Sequence, residues 1–373
     1  MQVVFPSSWP TVNVNEGTGE LQFQVKKSSK KSFSLTENVP FDPLNQVNGM
    51  YFGIDAWNGT WMYYQVDVYL GDELLDRSEP LRAVDQRKAT FVSPIGGNDS
   101  EECGILGLNP CKTLQAALRS ASVSGNDVYA LPGRYTGPGN VNVDMMGLGL
   151  TITSTNGPKY SMIDCSESVS AARGFKVSSG ESATIDGLTI LGGQADDGGC
   201  LYIRNASPVL SNMAFIGCKA LKGGAVYVDG DESNPSIIDS VFFYNQANEG
   251  GGVHVTNGAS VTISTTSIEL GVCGSDTGLG GGVYALRARL SIQDSIIKNC
   301  ISAFAGGGIM LDDSSATLIG VELRNNTVAN TGGGINLFGS EMTILRSKVV
   351  EVRETIFECR DGFLGSLNWH RNV

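Results

Sequence analysis

From residue 173 to 345 the apolar positions fall in short alternating runs of three to six residues, and no stretch keeps a helical spacing for long. The runs recur in sets. Each set opens on Gly-Gly, a small residue, then apolar, variable, apolar: 198–203 (GGCLYI), 223–228 (GGAVYV), 250–255 (GGGVHV), 280–285 (GGGVYA), 306–311 (GGGIML) and 332–337 (GGGINL). The copies follow one another at steps of 25 to 30 residues, and a glycine-poor copy, 173–177 (RGFKV), precedes them. Each set closes on a second alternating tract, such as 185–190 (IDGLTI), 238–242 (IDSVF) or 292–297 (IQDSII). One repeat therefore reads as strand, turn, strand, tight turn, strand. A unit this short cannot bury its own apolar face, so stacked copies must supply a shared core.

Stacked parallel strands at ~4.8 Å spacing make each repeat one rung of a parallel β-helix. The residues expected to point inward are Leu201/Ile203, Val226/Val228, Val253/Val255, Val283/Ala285, Ile309/Leu311 and Ile335/Leu337. The double glycines mark a corner that needs positive φ or leaves no room for a Cβ. Asn245 and Asn326, three residues past the last apolar position of their tracts, are read as left-handed turn residues.

Upstream, 113–121 (TLQAALRSA) puts Leu114, Ala117, Leu118 and Ala121 on one helical face, as a solenoid cap would. The order TLQAAL, NDVYALPGRY, ATIDGLTI resembles the entrance of right-handed parallel β-helices of the pectin-lyase-like class. The Gly-Gly tracts alternating with 242–245 (FFYN) and its looser copies are similar to the repeats of polymorphic outer membrane proteins. The resemblance spans about residues 95–345 and implies an all-β, right-handed, single-stranded parallel β-helix with a cell-surface role. Members of that family carry a secretion leader and a C-terminal membrane barrel.

Residues 1–92 have longer runs, at 21–25 (LQFQV), 51–54 (YFGI) and 61–70 (WMYYQVDVYL). They are expected to form a small β-sandwich, and the tract from Asn58 to Pro80 resembles the last strands of a filamin- or immunoglobulin-like domain. The expected organisation is that sandwich, a linker and Cys loop at 93–112, the β-helix with its cap at 113–350, and a C-terminal extension or truncated rung at 351–373. The run 26–31 (KKSSKK) reads as a solvated hairpin loop.

Composition narrows the function. Glycine makes up 48 of 373 residues, about 13% against a usual ~7%. With 26 basic and 38 acidic residues the net charge is −12, and no basic stripe offsets it. Nucleic acid and anionic membranes are poor partners for such a chain. No apolar run reaches the ~18 residues of a membrane helix, and MQVVFPSSWP has no signal-peptide pattern. Cys103 and Cys111 bracket a short loop and read as a disulfide, which points to an extracellular or cell-surface location; the competing reading is two free thiols. The sequons at Asn58, Asn98, Asn205 and Asn325 are as many as chance would place, so they carry no weight.

Enzymes of this fold class cleave acidic polysaccharides, so catalytic groups need a test. The candidates are Asp196, Asp197 and His254, but neither Gly-His-Gly nor Arg-Ile-Lys occurs, the pattern of polygalacturonases. Asp186, Asp239 and Asp294 are read as a column on every second rung, ~10 Å apart, too far to share one Ca²⁺ at ~2.3–2.6 Å bonds. No cofactor is expected, with Ca²⁺ as the alternative. The favoured function is a non-catalytic surface protein that adheres to glycan or protein, or acts as a spacer. The alternative is a polysaccharide lyase or hydrolase with a divergent site. Side-chain alternation points Tyr202, Tyr227, His254, Tyr284, Met310 and Asn336 outward. The first four would form an exposed ring ribbon that binds the partner, against the competing and favoured reading that rings on neighbouring strands simply stabilise one another.

Overall fold

The computed structural model describes residues 89–104, 109–168 and 170–350 in full, and before them only strands. The chain divides into two compact units, Met1–Gly133 with Ser154–Asn156, and Arg134–Thr153 with Gly157–Val373. In the first unit Leu35–Val39, Leu21–Ser28, Tyr63–Leu70 and Glu73–Arg77 lie side by side as an antiparallel sheet. Gln2–Val4 pairs antiparallel with Tyr51–Gly53. The face-to-face packing that would make a sandwich lies outside the described residues, as does the extension at 351–373. Lys26, Lys27 and Ser28 belong to the strand Leu21–Ser28, so the basic run begins before the hairpin turn.

The helix α1, Leu114–Ser124, also belongs to the first unit. Thr113 caps it by accepting a hydrogen bond from the Ala116 N–H (3.2 Å), and Gly125, at φ 68°, ends it. Its buried residues are the four expected, Leu114, Ala117, Leu118 and Ala121. Beside it Cys103 and Cys111 are joined by a disulfide.

The second unit is a parallel solenoid. Its first sheet has eight strands, from Val143–Asp144 to Ile335–Phe338, and includes all six Gly-Gly copies. A second sheet includes the parallel strands from Thr184–Asp186 to Glu341–Leu345, and a third those from Ser161–Asp164 to Lys348–Val350. A short fourth sheet of four strands, from Gln246–Ala247 to Thr327–Val328, fills the corner before the glycines. The described pairs in these sheets are parallel. The inward positions of the first sheet are buried on every rung, from Leu201 and Ile203 at 0% to Leu337 at 8% exposure. Phe215 and Phe242 stack inside the third sheet at 4.7 Å.

Both requirements on the double glycine are met, one by each residue. The first, such as Gly306, sits at φ 62°. The second, such as Gly307, would place a Cβ 2.4 Å from the Gly333 carbonyl oxygen of the next rung. Asn245 and Asn326 correct the turn expectation. The left-handed residues are their predecessors, Tyr244 (φ 55°) and Asn325 (φ 51°). Asn245 is instead buried, accepting from the Cys218 N–H (2.9 Å) and donating to the Phe215 carbonyl (3.0 Å). Asn326 does the same for Cys300 and Ile297. These carboxamides staple rung to rung.

Candidate functional site

The outward column of the first sheet forms in the expected register. Its rings meet: Tyr202 stacks on Tyr227 at 5.7 Å, Tyr227 lies 5.2 Å from His254, and Tyr284 meets His254 edge-on at 4.9 Å. The expected exposure is wrong. Tyr227, His254 and Tyr284 are 7%, 0% and 3% exposed, and only Tyr202 is half-buried. The cause is the positive-φ glycine, which folds the preceding corner back along the sheet. The residue before each glycine joins a bridge ladder, Asp197, Lys222, Glu249, Leu279, Ala305, Thr331. Ala305 and Leu279 pack on Tyr284 and Met310, and Thr331 accepts a hydrogen bond from Asn336. The ribbon is a second, outer core.

This cover decides the chemistry of the catalytic candidates. Burial pushes the His254 imidazole down to a pKa of about 3, with Lys222 adding to the effect and the Glu249 backbone opposing it. Its Nδ1 lies 3.6 Å from Glu249 Oε2, beyond a hydrogen bond. The Glu249 carboxyl is itself raised, by burial first, with Lys222 lowering and Asp197 raising it. Asp197 stands on the ladder with these two, so charges alternate along three rungs. Arg173 lies over the Tyr202 ring at 5.2 Å and interacts with both Asp197 and Asp196. Asp196 and Asp197 thus share Arg173, and Asp197 shares the ladder with Glu249, but His254 is sealed beneath that ladder.

The aspartate column needs correction. Asp186 pairs in register with Ser211, and Ser211 with Ile238, so Asp186 stands one residue before the corner column of Asn212, Asp239, Thr265 and Asp294; Gly187 holds the corner position of its rung. Asp239 and Asp294 do share a left-handed corner, with Thr265 between them donating its hydroxyl to Asp239. Among the described residues no group of three or more His, Cys, Asp or Glu is placed to hold a metal ion.

Asp196 faces elsewhere, into a cleft of about 410 Å³ lined by Ser166, Gln194, Lys219 and Leu221 among others. Gly192 forms part of its wall. One side is anchored by Asp164, whose buried carboxylate accepts from the Ser166 N–H and hydroxyl and from Arg134 Nε. Burial alone would raise the Asp164 pKa, but the Ser166 and Arg134 contacts outweigh it and hold the carboxyl below its usual range.

The family model for the right-handed β-helix region matches residues 173–359, half of the chain. The chain belongs to the right-handed β-helix family. Among solved structures it is similar to bacteriophage CBA120 tailspike protein 3, at 14% identity over 74% of this chain and 64% of that one. The TM-score is 0.26, a likeness too loose to carry an argument, and the chain spans about 64% of the tailspike's length. None of the curated proteins compared matches the chain.

Two features of this β-helix were not foreseen. Cys200 and Cys218 form a second disulfide, tying the glycine corner of one rung to the turn that ends its third-sheet strand. The signal was present, since Cys200 stands where other copies have Ala or Gly and Cys218 stands at the Asn245 position. The cleft is the other. Its only trace in the sequence is the serine-rich stretch 166–170 between two strands of the first rungs.

Proposed function

We propose that this β-helix is a non-catalytic extracellular or cell-surface protein that binds carbohydrate through the cleft at Asp196 and Lys219. The observation that carries this is the cleft itself, about 410 Å³, within the ~300–1,000 Å³ of small-ligand sites. A carboxylate, an ammonium, an amide and a serine hydroxyl offer donors and acceptors together, which suits a hydroxyl-rich ligand. Two disulfides favour an oxidising compartment, consistent with the surface role that the polymorphic outer membrane protein resemblance implies. The test is a glycan array followed by calorimetry, comparing the protein with Asp196→Ala/Lys219→Ala. Loss of binding in the folded double variant is expected; a glycan that binds it unchanged would overturn the assignment.

A second reading, a divergent polysaccharide hydrolase, has one observation in its favour. Glu249 is a carboxyl raised by burial, two rungs from Asp197 on the same ladder. Two rungs is ~10 Å, near the ~6.5–9.5 Å of an inverting acid and base pair. Release of reducing ends from a polysaccharide panel, abolished by Glu249→Gln, would replace the binding assignment with this one.

A further inference from the structure

The corner above the third sheet links the cleft to an exposed aromatic pair. Gly192, which lines the cleft, Gly217 and Tyr244 occupy the same left-handed position on three successive rungs, at φ 64°, 64° and 55°. Backbone hydrogen bonds join these corners, from Gly192 N–H to Ile216 and from Gly217 N–H to Phe243. A Cβ built on Gly217 would meet nothing within 4 Å, so the corner between cleft and tyrosine is bare and open. At its end Phe243 and Tyr244 are 42% and 62% exposed, with Val241 at 43% beside them.

Tyr244 does not hold its place for the fold. A bulky side chain at positive φ is disfavoured where glycine is free, and the two preceding rungs use glycine there. Leu270, the next residue in the column, shares the conformation but is half-buried, so packing accounts for it. Tyr244 has no such compensation at its exposure.

We propose that the cleft is one end of an oligosaccharide track that runs over Gly217 to a stacking platform formed by Phe243 and Tyr244. This rests on the carbohydrate reading of the cleft. At the ~150–250 Å² that an aromatic side chain presents, the exposed part of the two rings is roughly 160–260 Å². That is far below the ~800 Å² per partner of a stable protein interface, and it suits one or two sugar rings. The two rungs from Gly192 to Tyr244 span ~10 Å, room for a short run of linked pyranoses. A net charge of −12 disfavours uronic chains, and Glu269 and Lys298 below the platform pair with each other at 3.1 Å, so the ligand is neutral.

The test uses neutral chito-, cello- and malto-oligosaccharides of two to six units, titrated calorimetrically into the whole protein. Affinity is expected to rise about tenfold from the shortest to the longest bound member, ~1.4 kcal/mol. Tyr244→Gly should remove that rise, leave the shortest ligand's Kd unchanged and leave the melting temperature equal or higher. Phe243→Ser should act alike, whereas Phe304→Ser, an exposed ring off the track, should change nothing. A length dependence that survives both platform variants overturns the track. No length dependence, with Asp196→Ala/Lys219→Ala still abolishing binding, overturns the track and leaves the cleft assignment standing. If no member of the series binds the unaltered protein, both fall.

Discussion

Replacing Asn245 separates two explanations of the FxxN-like tract. If the residue were kept for a left-handed turn, Asn245→Gly would be harmless or mildly stabilising, because glycine adopts that conformation freely. The structure gives the left-handed φ to Tyr244 and makes Asn245 a buried bridge, 1% exposed, between Cys218 N–H and the Phe215 carbonyl. Without the carboxamide two buried backbone groups lose their partner, at ~1–3 kcal/mol each, so about 3–4 kcal/mol is expected for Asn245→Gly and Asn245→Ala alike. Asn245→Asp should do no better, since it exchanges the donor for a buried charge facing a carbonyl. Urea unfolding followed by far-UV circular dichroism would read the loss as a fall in midpoint at unchanged slope. Asn326→Ala should cost the same, because its two bonds match at 2.9 and 3.0 Å. The two sites are three rungs apart, ~14 Å, so their effects should add. A loss below ~1 kcal/mol for Asn245→Gly would refute the staple and restore the turn.

Other outcomes follow from the same structure. Gly307→Ala, whose Cβ would lie 2.4 Å from two backbone oxygens, should cost at least the ~1–3 kcal/mol of ordinary overpacking. Gly217→Ala meets open space at φ 64° and should cost only ~1–2 kcal/mol; equal effects in a melting experiment would contradict the rung-to-rung contact. His254 is neutral when folded, with a pKa of about 3 against 6.5 when unfolded. The unfolded chain therefore takes up the proton first, and stability falls as pH drops through this window. Between pH 6.5 and 4.5 His254 alone should remove ~2 kcal/mol, and His254→Phe should flatten the pH profile measured by denaturant titration; parallel profiles would mean that the imidazole is not sealed. Cys165, Cys273 and Cys300 are buried, with thiols pushed up to about 12. Mass mapping should find them alkylated only after unfolding, with Cys103–Cys111 and Cys200–Cys218 intact until reduction, and native labelling at Cys273 would contradict the packing.

The solenoid was legible because its sequence constraints are repeated and local. Period-2 alternation fixes which residues enter the bore, and Leu201, Val226 and Val253 did so on successive rungs. The double glycine is legible for a stronger reason, because two separate demands, a left-handed φ and a missing Cβ, fall on adjacent residues. The Asn positions were read one residue out of phase. Asparagine suits both a left-handed turn and a buried bridge, and composition alone does not separate them. Asp186 was misaligned for a similar reason: Gly187 occupies the corner that Asp239 and Asp294 fill on later rungs. The cleft depends on the stretch 166–170, which belongs to no repeat, so periodicity could not point to it.

Alternation states which side of a strand a residue faces, not what lies beyond that side. On the first sheet the corner after the short fourth sheet folds back as a second layer, so Tyr227 and Tyr284 support the fold. Substituting both with serine would report on stability, not on ligand contact. The cover also changes along the axis, from Asp197, Lys222 and Glu249 over the upper rings to Leu279 and Ala305 over the lower ones. Beyond that covered column, several large exposed side chains gather at another corner. Val241, Phe243 and Ile296 stand on the third sheet, and Tyr244, Ile301 and Phe304 on the corner and the fourth sheet beyond it. The cleft opens at this same corner. On the proposed carbohydrate reading, a ligand would meet the solenoid on the side where the chain leaves the third sheet, and substitutions there would alter binding without touching either core.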